Sequence, residues 1–127
     1  MSKPEHAQAP HADNIDALNA RLVEFARARD WEQFHTPKNL SMALIGEAAE
    51  LVEHFQWLTP EQSASLPPDK LDEVALELAD IFIYTIRTAE RLGIDLVDAA
   101  WRKIELNEAR YPADRVRGDA RRAGEYE

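Results

Sequence analysis

The sequence predicts an all-α protein in which four helices form one bundle. Three observations carry this prediction. Apolar residues recur three and four positions apart in four separate stretches of the 127-residue chain. No stretch is a convincing β-strand. Prolines, a glycine and residues that cap helices separate the four stretches, so the connections are short, as they are in helical bundles.

Composition limits the class of protein and its partners. With 127 residues, 45% of them hydrophobic, the chain is long enough for one domain with a core. A net charge of −9 argues against a nucleic-acid-binding surface, and the absence of cysteine excludes disulfides and thiolate metal sites. No run approaches the roughly 18 apolar residues of a membrane span, and the first residues lack the apolar core of a signal peptide. We therefore expect a cytoplasmic protein that binds neither nucleic acid nor membrane.

The first helix is expected from about Ile15 to Arg29, after a disordered N-terminal tail at residues 1–12. Asp13 or Asn14 is its expected capping residue. Four apolar residues at helical spacing form its core face: Ile15, Leu18, Leu22 and Phe25.

The connection after this helix, residues 30–40, is rich in aromatic side chains. It reads DWEQFHTPKNL and contains Trp31, Phe34 and His35. The pattern alone favours the interpretation that these rings close one end of the bundle. The alternative interpretation is that they form a wall of a binding site.

The second helix is expected in Leu40–Leu58, LSMALIGEAAELVEHFQWL, with Thr36 as its cap and Pro60 as its stop. Its apolar stripe consists of Leu40, Leu44, Leu51, Phe55 and Leu58. Glu47 falls in the middle of that stripe, and Glu50 falls on its edge. A carboxylate that faces a packed interior is costly unless a metal ion, a buried base or a ligand compensates it. The position of these acids therefore predicts a site.

A loop with three prolines follows, and the third helix is expected from about Asp69 to Leu92, where Gly93 ends it. One apolar face contains Leu71, Val74, Ala75, Leu78, Phe82, Ile86 and Ala89. A second stripe contains Glu73, Glu77, Asp80 and Tyr84. Because apolar residues flank this second stripe on both sides, a solvated acidic face is a weaker interpretation here than usual.

The fourth helix is expected from about Leu96 to Ala109, with Asp95 as its cap. Its core-facing residues are Leu96, Ala99, Ala100 and Ile104. Donor side chains line another side of this helix at Lys103, Asn107 and Arg110. The helical domain is expected to cover residues 13–112, and residues 113–127 are expected to form a C-terminal tail.

Two of the helices carry acids three residues apart, Glu47 with Glu50 and Glu77 with Asp80. Residues at this spacing share a helix face, so packing these helices together brings four carboxylates to one place. Such a group repels itself unless a divalent cation lies within it. Oxygen ligands without cysteine favour Mg²⁺ or Mn²⁺, and Mg²⁺ usually brings substrate phosphate with it.

These motifs, in this order and spacing, resemble the MazG-like all-α nucleoside triphosphate pyrophosphohydrolases, and among them most closely the dCTP pyrophosphatase branch. The matching segments span about Arg29 to Pro112 and read RDWEQFHTPKNL, ALIGEAAELVEHFQW, ELADIFIYTIRTAERLGIDL and RKIELNEARYP. The resemblance implies a hydrolase that converts dCTP or a modified dCTP to the monophosphate and pyrophosphate. It also implies dimers or tetramers in which neighbouring subunits complete the sites.

The resemblance also implies roles for individual residues. The expected magnesium ligands are Glu47, Glu50, Glu77 and Asp80, and Glu47 or Glu50 is the expected catalytic base. The expected substrate-binding residues are Trp31, His35 and Trp57 around the base, and Tyr84, Lys103, Asn107 and Arg110 at the sugar and phosphates. Leu22 departs from the pattern, because the animal members are expected to have there a histidine that approaches the base.

Three alternatives compete with this hypothesis. The same chemistry can act on dUTP or on a non-canonical nucleotide. A non-catalytic helical module can use the acids as structural charges. A di-iron carboxylate bundle needs Glu-x-x-His, whereas Glu50 and His54 are four residues apart.

Overall fold

A computed structural model of the chain describes residues 14–121 and 123–126. The tail expected at residues 1–12 lies outside the described residues. Every regular element within the described ranges is helical, which confirms the all-α prediction. The chain divides between Leu92 and Gly93 into two compact units.

The first unit contains α1 at Ile15–Ala28, a 3₁₀ turn at Glu32–Phe34, α2 at Pro37–Glu53, α3 at Pro60–Ser63 and α4 at Pro68–Arg91. The second unit contains α5 at Leu96–Arg110, α6 at Ala113–Val116 and a 3₁₀ turn at Ala123–Tyr126. Three of the four long helices, α1, α4 and α5, have close to the predicted bounds, α2 is shifted and shortened, and α6 lies in the segment that was expected to be a tail.

Side-chain caps fix the start of three long helices. Asn14, Thr36 and Asp95 each accept a hydrogen bond from the backbone N–H three residues further on, at 2.7, 3.1 and 3.0 Å. Gly93 follows the end of α4 with φ +67°, a conformation that glycine adopts without strain. The capping residues read from the sequence are therefore confirmed.

The second helix is shorter than the sequence predicted. It ends at Glu53, and the next residues form turns instead of continuing as a helix to Leu58. The backbone N–H of Phe55 bonds the carbonyl of Val52, three residues back, at 2.9 Å. Leu58 bonds Phe55 in the same way at 2.9 Å, so the chain tightens and leaves the α-helical path.

The loop after these turns contains the short helix α3, which the sequence analysis missed. Thr59 accepts a hydrogen bond from the N–H of Gln62 at 3.2 Å, and the Gln62 side chain accepts one from the N–H of Thr59 at 2.9 Å. This reciprocal capping box, with Pro60 at the first helical position, begins α3. Pro60, which was expected to stop the second helix, instead starts α3, because α2 has already ended at Glu53.

The core of the first unit is small. The main packing is between α2 and α4, and α1 also packs against α4. Five apolar residues are buried among the described residues: Ala26, Leu40, Val74, Ile86 and Ala89. The predicted apolar face of α4 is only partly covered, because Leu71, Leu78 and Phe82 keep 44 to 56% of their surface exposed.

The residues predicted for the core face of α5 are not buried. No residue of α5 is buried, and both Ile104 and Trp101 are exposed. The spacing of the apolar residues correctly predicted the helix, but spacing does not say whether one chain supplies enough surface to cover it.

Among the residues that the structure describes, no helix combines the length and apolar character needed to cross a membrane.

Candidate active site

Three carboxylates meet where α2 packs against α4. Glu47 comes from α2, and Glu77 and Asp80 come from α4. Each offers an oxygen atom that lies within 4.8 Å of the other two. We call these three residues the carboxylate triad. No other group of three metal-ligating side chains occurs in the described ranges.

The carboxylate triad is held in an unfavourable electrostatic state. The pKa of Glu47 is raised to about 7, and the largest cause is the neighbouring carboxyl group of Glu77, with which a protonated Glu47 forms a hydrogen bond. Burial, a hydrogen bond to Glu50, and the negative charges of Glu50 and Asp80 also contribute to this shift, in that order. The triad therefore retains either a proton or a cation near neutral pH.

The donor set of the triad fits a divalent cation. One oxygen of Glu47 and one oxygen of Glu77 are buried and have no hydrogen-bond partner. Such atoms are costly unless a positive charge satisfies them. Carboxylate oxygens alone suit a hard cation of the Mg²⁺, Mn²⁺ or Ca²⁺ type.

Glu50, the fourth predicted ligand, lies beside the carboxylate triad. It is exposed, one turn beyond Glu47 on α2, and close enough to raise the pKa of Glu47. It lines a cavity of about 480 Å³ together with Glu77, His54 and Trp57. We call this the open cavity.

Trp57 lines the open cavity and is itself largely exposed. Its side chain is 87% exposed because it follows the end of α2 instead of lying on the helix. At the border of the cavity, Lys70 forms an ion pair with Glu73 at 3.0 Å, and Nδ1 of His54 lies 3.8 Å from Glu73. Glu73, a member of the predicted stripe, is therefore engaged in ion pairs and not in the triad.

A second cavity, of about 290 Å³, borders the triad at Asp80. Its other walls include Phe25, Trp31, His35 and Tyr84, and we call it the aromatic cavity. The rings of Phe25 and Trp31 meet edge to face at 5.8 Å. The structure thus brings Trp31 and His35 to a cavity beside the acids.

Other residues of the aromatic segment behave differently. Phe34 is 59% exposed and does not line the aromatic cavity. Leu22, which stands where a histidine was expected, does line it. The aromatic cavity is therefore apolar at this position.

Tyr84 connects the aromatic cavity with the carboxylate triad. Burial raises the pKa of its hydroxyl, and the charges of Glu47 and Asp80 raise it further. The hydroxyl therefore stays protonated and can donate a hydrogen bond to a ligand.

Arg87, which was not predicted from the sequence, also lines the aromatic cavity. It is almost fully buried and bonds a carboxylate oxygen of Glu90 at 3.0 Å. Its other terminal nitrogen lies 3.3 Å from Nδ1 of His35. The available signal was a single arginine within the apolar run IFIYTIRTA, with an acid three residues later.

The donors predicted on α5 belong to the second unit. Lys103, Asn107 and Arg110 are all exposed. The Arg110 guanidinium lies 5.8 Å from the ring of Tyr111, and the Asn107 carbonyl accepts the N–H of Tyr111 at 2.8 Å. Their role toward a substrate stays a prediction.

Comparisons with known proteins identify the family of the chain. Residues 45–125 match the model of the MazG-like family. The chain is 42% identical over 113 residues to dCTP pyrophosphatase 1 of Mus musculus and 42% identical over 115 residues to that of Homo sapiens. These matches cover 87 and 89% of this chain, which spans only 65 to 66% of the length of those relatives. A pyrophosphatase from Archaeoglobus fulgidus has a similar structure, with a TM-score of 0.74 and 35% identity over 83% of this chain and 98% of that one.

Proposed function

Because the chain belongs to the MazG-like family, we propose that it is a nucleoside triphosphate pyrophosphohydrolase. Its favoured substrate is dCTP or a modified dCTP, which it converts to the monophosphate and pyrophosphate, a reaction that removes unwanted nucleotides from the cellular pool. The observation that carries this proposal is the carboxylate triad, which borders an aromatic cavity on one side and an open cavity on the other. The similarity to dCTP pyrophosphatase 1 supports cytosine as the nucleobase of the proposed substrate.

The residues that would hold the cation are Glu47, Glu77 and Asp80, with Glu50 as a further ligand. The expected cation is Mg²⁺, with Mn²⁺ as a substitute, since every donor is a carboxylate oxygen. When bound, this cation supplies positive charge that offsets both the crowded carboxylates and the triphosphate.

Glu50 is the proposed general base. It is exposed in the open cavity, where water has access, whereas Glu47 lies within the triad. Its carboxylate takes a proton from a water molecule as the water oxygen attacks the α-phosphorus. The bond between the α-phosphorus and the bridging oxygen breaks, and pyrophosphate leaves with the electron pair of that bond.

The remaining predicted residues bind the substrate. Trp31 and His35 enclose the nucleobase in the aromatic cavity, and Trp57 covers the nucleobase from the side of the open cavity. Tyr84 donates its hydroxyl proton to the sugar or a phosphate. On α5, Lys103, Asn107 and Arg110 bind the phosphates and neutralise their charge.

A complete site is proposed to require a dimer or a tetramer of four-helix bundles. Large apolar side chains of α2, α4 and α5 are exposed in the single chain, among them Ile45, Leu76 and Trp101 at 65 to 70%. Exposed apolar surface of this extent is typical of an interface. A cytoplasmic location remains a prediction from composition.

Product analysis tests the proposal. Purified protein is incubated with Mg²⁺ and each of the common deoxy- and ribonucleoside triphosphates, and the products are separated by ion-exchange chromatography. We expect dCMP and pyrophosphate from dCTP, and at least a 100-fold loss of turnover in Glu50→Gln. The exposed Glu24 on α1 provides a matched control, since Glu24→Gln removes a carboxylate that belongs neither to the triad nor to the lining of either cavity.

The other outcomes identify the alternatives. Conversion of dUTP or another triphosphate in preference to dCTP would keep the reaction and overturn the base preference. Folded protein that converts none of them would overturn the enzymatic proposal and favour a non-catalytic module. Full turnover by Glu50→Gln would overturn the role of Glu50 alone.

A further inference from the structure

Arg87 is a buried charge whose position needs an explanation. Only 2% of its surface is exposed, and its Nε atom has no hydrogen-bond partner. A buried guanidinium is costly, and replacing it and its partner by apolar side chains is often neutral or stabilising. The ion pair between Arg87 and Glu90 therefore does not by itself explain, through stability, why an arginine is buried here.

The contact between Arg87 and His35 fixes which ring nitrogen carries the proton. A guanidinium has only N–H donors and no acceptor. The 3.3 Å contact between its Nη2 and Nδ1 of His35 is therefore a hydrogen bond only if Nδ1 accepts. A neutral imidazole whose Nδ1 accepts has its single proton on Nε2.

The surroundings of His35 favour this neutral form. Burial lowers its pKa, and the charges of Arg87 and Arg91 lower it further against the opposing effect of Glu32. Asp80 is the other charged group that lines the same cavity. Among the residues that the structure describes, Nε2 has no hydrogen-bond partner, so its proton is available to a ligand.

We propose that Arg87 is a positioning residue that holds His35 in the tautomer protonated at Nε2, so that His35 donates a hydrogen bond to an acceptor on the substrate base. This inference rests on the proposed function, and it specifies how the aromatic cavity recognises the base. The acceptor is a carbonyl oxygen or unprotonated ring nitrogen of the base stacked beside Trp31. A ligand without such an acceptor does not use this contact.

The tautomer can be measured directly in the unmodified chain. Protein labelled with ¹⁵N in histidine is studied by NMR at about pH 8, where an imidazole with a lowered pKa is neutral. The spectrum of His35→Gln identifies the His35 signals. We expect a protonated Nε2 and an unprotonated Nδ1, and the opposite tautomer or a cationic ring would overturn the proposal.

Two substitutions of Arg87 and one of its partner test the consequence for recognition. Arg87→Leu removes the donor to Nδ1, Arg87→Lys keeps a donor, and Glu90→Gln removes the ion pair but leaves the contact with His35. KM and kcat are measured for the nucleotide that is hydrolysed fastest and for deoxyribose 5′-triphosphate, which has no base.

For Arg87→Leu we expect loss of the single tautomer and a rise of about 3- to 10-fold in KM for the nucleotide, the size of one neutral hydrogen bond. KM for the base-free triphosphate should not change. Arg87→Lys should recover most of the nucleotide KM, and Glu90→Gln should keep both the tautomer and the KM.

A structural role for Arg87 gives a different result. An equal rise of KM for both substrates, or an equal rise in Glu90→Gln, would overturn the positioning role. If Arg87→Leu does not fold, the wild-type spectrum and Arg87→Lys still decide the question. Absence of all turnover by the wild type would show failure of the proposed function, whereas turnover with an unchanged nucleotide KM in Arg87→Leu would show failure of this inference alone.

Discussion

A single chain encloses the two cavities that border the carboxylate triad to different extents. The aromatic cavity has walls from α1, the following connection and α4, and its volume is about 290 Å³. The open cavity is larger, about 480 Å³, and lies where α2 ends. Trp31 keeps less than half of its surface exposed in the first cavity, whereas Trp57 is 87% exposed in the second.

Backbone geometry accounts for this difference. The N–H of Trp31 bonds the carbonyl of Ala26 at 2.9 Å, and its ring rests against Phe25, so the local chain holds it in place. Trp57 lies in a turn after α2, and its ring has no aromatic neighbour among the described residues. In our proposal, one chain preforms the cavity that recognises the nucleobase, and a neighbouring subunit completes the open cavity.

Loss of a triad carboxylate should have the largest effect, because the triad serves both cavities. Glu77→Gln should lower kcat/KM at least 100-fold, since a ligand of the charge-neutralising cation contributes several kcal/mol. It should also abolish the rise in Tm caused by Mg²⁺ or Mn²⁺. The exposed Glu24→Gln should change neither quantity, and a metal-dependent Tm rise retained in Glu77→Gln would place the cation elsewhere.

The proton held in the triad predicts a pH dependence of cation binding. Since the pKa of Glu47 is about 7, a cation must displace this proton below pH 7. Affinity for Mn²⁺, measured by calorimetry, should rise up to about tenfold per pH unit below 7 and level off above it. An affinity that did not vary between pH 6 and about 8 would contradict the shared proton.

The same shift predicts how the metal-free protein responds to pH. The folded-state pKa of Glu47 lies above its unfolded value of 4.5, so the folded state holds more protons between these values. This contribution to stability is complete below the unfolded pKa and is lost as pH rises through about 7. Glu47→Gln, which stays neutral, should remove this loss and raise the metal-free Tm at about pH 8.

Substituting each tryptophan in turn measures how much its cavity contributes to nucleotide binding. Trp31→Ala should raise the nucleotide KM about 5- to 100-fold, the contribution of one base stacked on an aromatic ring. Trp57→Ala should raise it less and should leave the metal-free Tm nearly unchanged, because exposed side chains contribute little to stability. Equal effects on KM would show that the open cavity recognises the base as strongly as the aromatic one.

The elements of this chain that local chemistry determines could be predicted from the sequence. The helix caps could be predicted because a cap needs only a side chain and the N–H three residues ahead, as at Asn14, Thr36 and Asp95. Helical spacing also placed Glu47, Glu77 and Asp80 on facing stripes, and the structure brings them together.

Features that depend on tertiary packing were not predictable in this way. Arg87 and His35 are 52 residues apart in sequence, so their contact has no local signal. The early end of α2 and the exposure of Trp57 depend on turns that interrupt a continuing apolar pattern. Spacing likewise could not show that no residue of α5 is buried, because spacing indicates a helix but not what packs against it.

The smallest expected effect compares two Thr-Pro caps, one beside each cavity. Thr36 follows His35 and caps the 17 residues of α2 through one hydrogen bond, whereas Thr59 begins the four-residue α3 after Trp57. Thr36→Ala should lower the free energy of unfolding by about 1 kcal/mol, the usual cost of a lost cap.

Thr59→Ala should cost less, about 0.5 kcal/mol, because the bond from its backbone N–H to the Gln62 side chain survives the substitution and the helix it begins is short. Urea unfolding of both variants measures the two values. Thr36→Ala should also raise the nucleotide KM by loosening the connection that carries Trp31 and His35, while Thr59→Ala should leave it close to wild type. If Thr59→Ala lowered stability and raised KM more than Thr36→Ala, the chain beside the open cavity would contribute more to stability and substrate binding than the chain beside the aromatic cavity.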